Sequence, residues 1–403
     1  MKDIFQHLKG DKGIWSLVLL LGIASLLLVY SSIVTLADRF QDGNTFHFLL
    51  RHGTFLLMGF GIVYLVHRVK YAYFSRLAQI AMYISIPLLA LTLFAGENIN
   101  DASRWLKIPV INQSFQTSDF AKLALIMYVA RFLAIRQGEV KDLKKTFLPV
   151  MVPILIVCGL IFPANFSTAA VLFVSCLVLM FIGRVPVKYI GSLVGVGLVM
   201  VVLALTIAKV SPDLLPRAKT WSSRIEAFMP RWATWENRVE NHLSDRERRN
   251  NYQVDQSKIA IATGGVLGKG PGNSTQRNFL PHPYSDFIYA IVLEEYGFIG
   301  GVVILLLYLI LLFRAIRIAI RCEKAFGPLL VIGISFILVF QALINMAVAV
   351  NLLPVTGQPL PLVSMGGTSL WFTSIAIGVI LSVSRSLEEE ETTTNKPANH
   401  AFA

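Results

Sequence analysis

Gly270-Pro271-Gly272-Asn273-Ser274-Thr275-Gln276 is a glycine-rich polar stretch, and nine residues later Ser285-Asp286 opens directly into Phe287-Ile288-Tyr289-Ala290-Ile291-Val292-Leu293. The apolar run that begins there continues to about Arg314, long enough to cross a hydrocarbon core of about 30 Å, and this sets the class of the whole chain. A lone carboxylate at the mouth of a membrane helix, beside a loop able to hold polar head groups, points to chemistry on a lipid-linked substrate at a bilayer surface.

The rest of the chain agrees. Of its 403 residues, 55% are hydrophobic and 15% charged, and the mean hydropathy is +0.63. Runs of spanning length lie near 14–36, 48–67, 77–95, 118–136, 146–163, 167–184, 189–209, 287–314, 326–350 and 368–386. The expected fold is therefore all-α and polytopic, with about ten transmembrane helices and a large loop over 210–286. The fourth run is the most polar, carrying Asp119, Lys122 and Arg131.

Basic residues in the short connections set the orientation. Lys2, Lys9, Lys12, Arg68, Lys70, Arg76, Arg136, Lys141, Lys144, Lys145, Arg184, Lys188, Arg314, Arg317, Arg321 and Lys324 share one side. The other short loops hold only Arg39, Arg104 and Lys107. By the positive-inside rule both termini are expected in the cytoplasm and Asp286 on the outer face. The first run has lysines before it but exceeds a signal-peptide core and lacks a small-residue cleavage site, so it reads as a retained helix.

Within the long loop, Trp221, Ile225, Phe228, Met229, Trp232, Trp235 and Val239 recur at helical spacing with basic residues between them, predicting an interfacial amphipathic helix over 214–243. Residues 243–251 are charged and poorly patterned and read as mobile, and 387–403 reads as a disordered cytoplasmic tail. The glycines at 264, 265, 268, 270 and 272 would let backbone N–H groups approach an anion, with Lys258 and Lys269 nearby, or would serve tight turns. No P-loop or dinucleotide fingerprint accompanies them. Cys158, Cys176 and Cys322 indicate neither disulfides nor zinc. No His-Glu-x-x-His spacing occurs.

Gly272-Asn273-Ser274-Thr275-Gln276, Phe279-Leu280-Pro281, Asp286-Phe287-Ile288-Tyr289-Ala290, Glu294-Glu295 and Gly297 together resemble the SEDS family (shape, elongation, division and sporulation), typified by FtsW and RodA. Ala102-Ser103-Arg104-Trp105-Leu106, Phe120-Ala121-Lys122-Leu123 and Leu353-Pro354-Val355-Thr356-Gly357 through Ser364, Gly366-Gly367 and Ser369 extend the resemblance to nearly the whole chain. The Gly-Asn-Ser-Thr-Gln form is more similar to the division branch, FtsW. Three segments depart from the family pattern. His282 and Tyr284 replace its glutamate and histidine before Asp286, Thr117-Ser118-Asp119 replaces Pro-Ser-Glu, and Ala164-Asn165-Phe166-Ser167-Thr168 replaces Pro-Asp-Leu-Gly-Thr.

The resemblance implies a peptidoglycan glycosyltransferase that polymerises lipid II in septal cell-wall synthesis, with Asp286 as its essential carboxylate. As general base, Asp286 would take the proton of a sugar hydroxyl, a contribution of about 10²–10⁴-fold. The departing lipid diphosphate needs positive charge, from cations, helix N-termini or a divalent ion (Mg or Mn) that Asp286 would help hold. Candidate substrate contacts are Arg104, Trp105, Lys122, Asn273, Ser274 and Gln276. A class B penicillin-binding protein and other divisome proteins are the implied partners.

Each residue also has a plainer reading. Asp286 sits where an N-cap would, worth typically about 1 kcal/mol, and Trp105 where an interfacial anchor would. Lys122 would snorkel or neutralise Asp119. Glu294 and Glu295 read as buried structural carboxylates paired with an Arg or Lys of another helix, and Asn345, Ser364, Thr368 and Ser369 as interhelical packing groups. The rival functions are a lipid II flippase or transporter and a non-catalytic divisome scaffold.

Overall fold

The computed structural model describes residues 8–33, 45–99, 102–108, 113–210, 245–281 and 283–394. Ten helices carry the expected apolar runs: α1 (Lys12–Ser32), α2 (Thr45–His67), α3 (Tyr71–Ala95), α4 (Thr117–Ile135), α5 (Leu148–Ile161), α6 (Phe166–Ile182), α7 (Val187–Val210), α9 (Ile288–Arg321), α10 (Phe326–Ala349) and α11 (Thr368–Thr394). An eleventh, α8 (Asp245–Gly264), precedes the glycine loop. Seven of the ten are long and apolar enough to cross a membrane among the described residues. α6 and the apolar part of α7 are shorter, and α4 carries three charges.

Local chemistry explains several boundaries. Asp11 caps α1 by accepting from the N–H of Ile14 at 2.9 Å, and Asn165 caps α6 through Thr168 at 3.3 Å. The cap needs an oxygen acceptor, which the amide supplies. Asp142 caps a single π-helical turn, Leu143–Phe147, that leads into α5. Pro87 and Pro153 lie inside α3 and α5, where each removes a helix hydrogen bond that packed neighbours must compensate.

α10 is the central helix, with 72% of its apolar window buried, packed against α4, α6, α9 and α11. α11 is buried to the same extent, mostly against α2. Lipid-directed side chains lie on α1, α2, α3, α7 and the later part of α9. Both described chain ends meet at one end of the bundle. There Glu388 accepts from the N–H of Gly10 at 2.8 Å, and Arg314 pairs with Asp11 at 2.9 Å. Asp286 lies at the opposite, far end, where α9 begins.

Three features differ from the sequence expectation. The fold is not purely helical: β1 (Glu97–Ile99), β2 (Ala102–Ile108) and β3 (Gln113–Gln116) form an antiparallel sheet in the order β1-β2-β3 at the far end. Trp105 pairs with Gln116 and Leu106 with Phe115, and Phe115 meets Phe372 of α11 edge to face at 5.4 Å. Residues 245–251 are helical as the first turns of α8. Finally, α11 runs through Thr394, so residues 387–394 are not disordered. Arg321–Glu391 at 2.5 Å, Lys324–Glu390 at 3.5 Å and Lys9–Glu389 at 3.5 Å hold its acidic run. The expected amphipathic helix over 214–243 and the end of the tail, 395–403, lie outside the described residues.

Candidate functional site

The far end is organised by a break in α9. At Gly297 the backbone adopts φ 65° and ψ −166°, a region open essentially to glycine alone. A Cβ there would meet the carbonyl oxygen of Val266 at 2.3 Å. The loop 265–270 fills the break. Lys269 and Gly270 donate their N–H groups to the carbonyls of Glu294 and Glu295 at 3.0 and 2.9 Å, and Phe298 and Ile299 donate to Gly265 and Val266 at 2.9 and 3.3 Å. Gly268, at φ 81°, would drive a Cβ to 2.2 Å from the Glu295 carbonyl. Four freed backbone groups are thus satisfied by one loop, as a low-dielectric setting demands.

The same loop encloses a carboxylate. Glu294 is 0% exposed. Its Oε1 accepts from Lys269 Nζ at 2.6 Å, from Thr275 N–H at 3.0 Å and from Thr275 Oγ1 at 2.8 Å. Its Oε2 accepts from Ser274 Oγ and from the N–H of Gln276 at 3.2 Å. Glu295 accepts from Ser31 Oγ and from the N–H of Ser274 at 3.3 Å. Ser274 thus turns its hydroxyl, and Gln276 its backbone N–H, onto Glu294, and both residues are buried, while Asn273 is exposed with its amide on the Lys269 carbonyl at 3.0 Å. The glycines, offered by sequence as an anion cradle or tight turns, bring this loop against α9.

Asp286 is half-buried, and it does not cap α9. The N-cap position is Phe287, with no side-chain hydrogen bond. Asp286 Oδ1 accepts from Ser285 Oγ at 2.8 Å, while Oδ2 stands beside Gly357, whose added Cβ would lie 3.5 Å away. The main chain around it is pinned from other elements. Asn345 Nδ2 donates to the Asp286 carbonyl at 2.9 Å, Ser364 Oγ donates to the Ser285 carbonyl at 2.6 Å, and Met365 N–H donates to the Tyr284 carbonyl at 2.8 Å. The segment 357–365 is itself fastened: Tyr308 donates to the Pro361 carbonyl, and Ser25, paired with His52 at 2.8 Å, donates to that of Val363 at 2.8 Å. Leu362 within it is left-handed, at φ 65°.

Lys122 lies on α4, bonded to Asp119 at 2.8 Å and to Gln341 Oε1 at 3.1 Å. These residues border a cavity of about 40 Å³ with Ser369, Phe372 and Thr373, into which the unpartnered, buried Asp119 Oδ2 can accept a water. Arg104 and Trp105 are neighbours on β2, and Trp105 is half-buried. The sheet is fastened to the start of α11 through Thr368, which takes the Gln116 N–H at 3.4 Å and reaches the Ser114 carbonyl at 3.3 Å. The structure thus links Asp286 and Lys122 through α10 and 357–361, and turns Ser274 and Gln276 onto Glu294. His282 lies outside the described residues.

Asn345, Gln341, Gln358 and Ser364 were not singled out by sequence as parts of the site. For Asn345 and Gln341 the signal was polarity inside an apolar run, which interhelical packing explains equally well; Gln358 and Ser364 lie in the connection after it. Among the described residues no three His, Cys, Asp or Glu side chains gather to hold a metal. Asp286 is the carboxylate at this end that could hold a divalent ion, in the mode of one or two protein carboxylates with several waters that is common for Mg²⁺.

Residues 11–389 match the family described as cell cycle protein, FtsW/RodA/SpoVE. The chain is 33% identical over 384 residues to the probable peptidoglycan glycosyltransferase FtsW of Trichlorobacter lovleyi, covering 93% of this chain and 94% of that one. It is 32% identical to the stage V sporulation protein E of Bacillus subtilis, with 92% and 95% covered. Among solved structures it is similar to a chain of a peptidoglycan synthase complex, at a TM-score of 0.69 and 25% identity over 94% of this chain and 98% of that one. Thermus thermophilus RodA shares the fold, at a TM-score of 0.63 and 23% identity over 94% and 97% of the two chains. A polytopic bundle with these motifs in this order, matched from Asp11 to Glu389, belongs to the FtsW/RodA/SpoVE family of cell cycle proteins.

Proposed function

We propose that this multi-pass membrane protein is a peptidoglycan glycosyltransferase that polymerises lipid II during septal wall synthesis, with Asp286 as general base. Three things support the reading: the family, the relatives named for that activity, and the setting of Asp286. That setting carries the mechanistic part. The carboxylate stands at the far end with its backbone pinned by Asn345 and Ser364 and its side chain free of capping duty.

In this reaction an acceptor sugar hydroxyl gives its proton to Asp286 and its oxygen attacks the donor's anomeric carbon. The bond from that carbon to the lipid diphosphate breaks, and the diphosphate leaves with the electron pair. One inversion needs one base and stabilisation of the leaving group, so a single carboxylate suffices. Lys122 supplies positive charge toward the diphosphate, and Arg104 and Trp105 of β2, at the same end of the bundle, are the further substrate contacts. A divalent cation shared with Asp286 would neutralise further charge. The basic residues at the terminal end support a cytoplasmic location for that end and an outer one for Asp286. The complex formed by the solved relative supports a transpeptidase partner of the class B penicillin-binding type.

Purified protein in liposomes, supplied with lipid II and Mg²⁺ or Mn²⁺, tests the proposal. Wild type should make glycan polymer, and Asp286→Asn should lose about 10²–10⁴-fold in rate with unchanged thermal stability. Polymer at the wild-type rate from Asp286→Asn would overturn it.

A further inference from the structure

Two amides one helical turn apart on α10, Gln341 and Asn345, clasp the same extended segment. Asn345, 1% exposed, donates its amide hydrogens to two carbonyls, Gln358 at 2.7 Å and Asp286 at 2.9 Å. Gln341 donates to the carbonyl of Pro359 at 3.0 Å and accepts from Lys122 Nζ at 3.1 Å. Gln358 in turn donates its side-chain amide to Thr168 Oγ1 at 2.8 Å, tying the segment to α6. Gly357, the next residue, lies against Asp286 Oδ2.

We infer that Gln341 and Asn345 are positioning residues that fix the separation of Asp286 from Lys122, using residues 357–359 as the spacer. The inference rests on the functional reading above, in which Asp286 meets the acceptor hydroxyl and Lys122 the diphosphate. The physical case is geometric. Both primary amides donate to backbone carbonyls of the spacer or of Asp286, and α10, one of the two most enclosed helices, is a rigid element to carry them. Two side chains at i and i+4 share one face of a helix, so the distance between their amides is set by the helix pitch and not by a loop. Packing alone would be satisfied by apolar residues of this size, without three hydrogen bonds to the main-chain oxygens of Asp286, Gln358 and Pro359. Positioning errors of about 1 Å cost about 10²-fold in such sites.

The two positions predict opposite kinetic signatures. Asn345→Leu removes the hold on the Asp286 carbonyl, so kcat falls by about 10²-fold with KM for lipid II little changed. Gln341→Leu removes one of the two holds on the Lys122 ammonium and leaves it to Asp119 alone, so KM rises by about ten-fold with a smaller loss in kcat. Asn345→Ser and Gln341→Glu, which keep a donor and an acceptor respectively, should recover part of each loss and serve if the leucine variants fold poorly. The measurement is steady-state polymerisation in liposomes, normalised to monodisperse protein, beside thermal melting of each variant. A split between a kcat effect at 345 and a KM effect at 341 supports the assignment. Equal losses of kcat that follow the folded fraction, or wild-type kinetics in both, overturn it. The functional reading is judged separately by Asp286→Asn. If that variant is inactive while 341 and 345 behave as wild type, only the positioning role fails.

Discussion

Replacing Gly297 with alanine should dismantle the far end of the molecule while leaving the membrane-crossing part of α9 intact. The methyl group would be built 2.3 Å from the carbonyl oxygen of Val266 and 2.5 Å from the N–H nitrogen of Gly268. Both are backbone atoms, so no side-chain rotation relieves the overlap. The residue must leave φ 65°, ψ −166°, or hold an L side chain in it at a cost of about 1–3 kcal/mol. If it leaves, the loop 265–270 loses its four hydrogen bonds to α9, each worth about 1 kcal/mol net. Glu294 then loses the Lys269, Ser274 and Thr275 groups that offset its burial. A total of about 5 kcal/mol is a large part of the stability of a whole domain. At about 2–4 °C per kcal/mol for a domain of 150–250 residues, the expected drop in melting temperature is roughly 10–20 °C. The assay is survival of monodisperse, detergent-solubilised protein against temperature, with polymer formation measured on what survives at low temperature. Gly61→Ala is the control, since a Cβ there meets nothing within 4 Å, and it should melt as wild type or slightly higher. A Gly297→Ala protein that melts with the control and polymerises normally would refute the account of the broken helix.

Glu294→Ala should lower the melting temperature by a comparable amount, because a half-exposed Lys269 and the loop donors are left facing an uncompensated space, whereas Glu294→Gln keeps an acceptor and loses less. Lys122→Met strands the buried Asp119 carboxylate and should destabilise by about 3–5 kcal/mol; adding Asp119→Asn should restore melting but not polymerisation. Trimming the chain after Glu389 removes the exposed ion pairs Arg321–Glu391 and Lys324–Glu390, so melting should move by about 1 kcal/mol or less and the difference should shrink in high salt. In the connection between α4 and α5, the Lys145 ammonium and then the Arg136 guanidinium hold Glu139 below its ordinary value of 4.5. A depressed carboxylate contributes fully above that ordinary value and loses its contribution as pH falls through the lowered one. Hydrogen exchange of residues 137–147 should therefore be flat near neutrality and accelerate, relative to the intrinsic rate, only in acid below about pH 4.5.

The bundle was readable because each span is a long apolar run, and run length is a one-dimensional property. α4 could be placed despite Asp119, Lys122 and Arg131, since its remaining residues are apolar and its charges find partners at Gln341, Ser75 and Gln79. The sheet over 97–116 was not readable, as strands of three, seven and four residues in a polar connection leave too short a pattern. Asp286 stood out by its place before a helix, yet the N-cap explanation could be removed only by seeing Phe287 at that position. Asn345, Gln341 and Ser364 were hidden for a different reason. Their meaning depends on which carbonyls face them, and those belong to segments as much as 79 residues away.

The interlock of 265–270 with the broken helix also bears on how the chain is made. Its two halves are about thirty residues apart in sequence, so they leave the ribosome within seconds of one another at the usual rate of about 5–20 residues per second. Before they meet, the nascent helix carries bare carbonyls at Glu294 and Glu295 and two glutamates without their donors, a poor passenger for the hydrocarbon interior. The glycine loop is already synthesised when those carbonyls emerge, and none of the four bonds that close this corner requires a residue of α10 or α11.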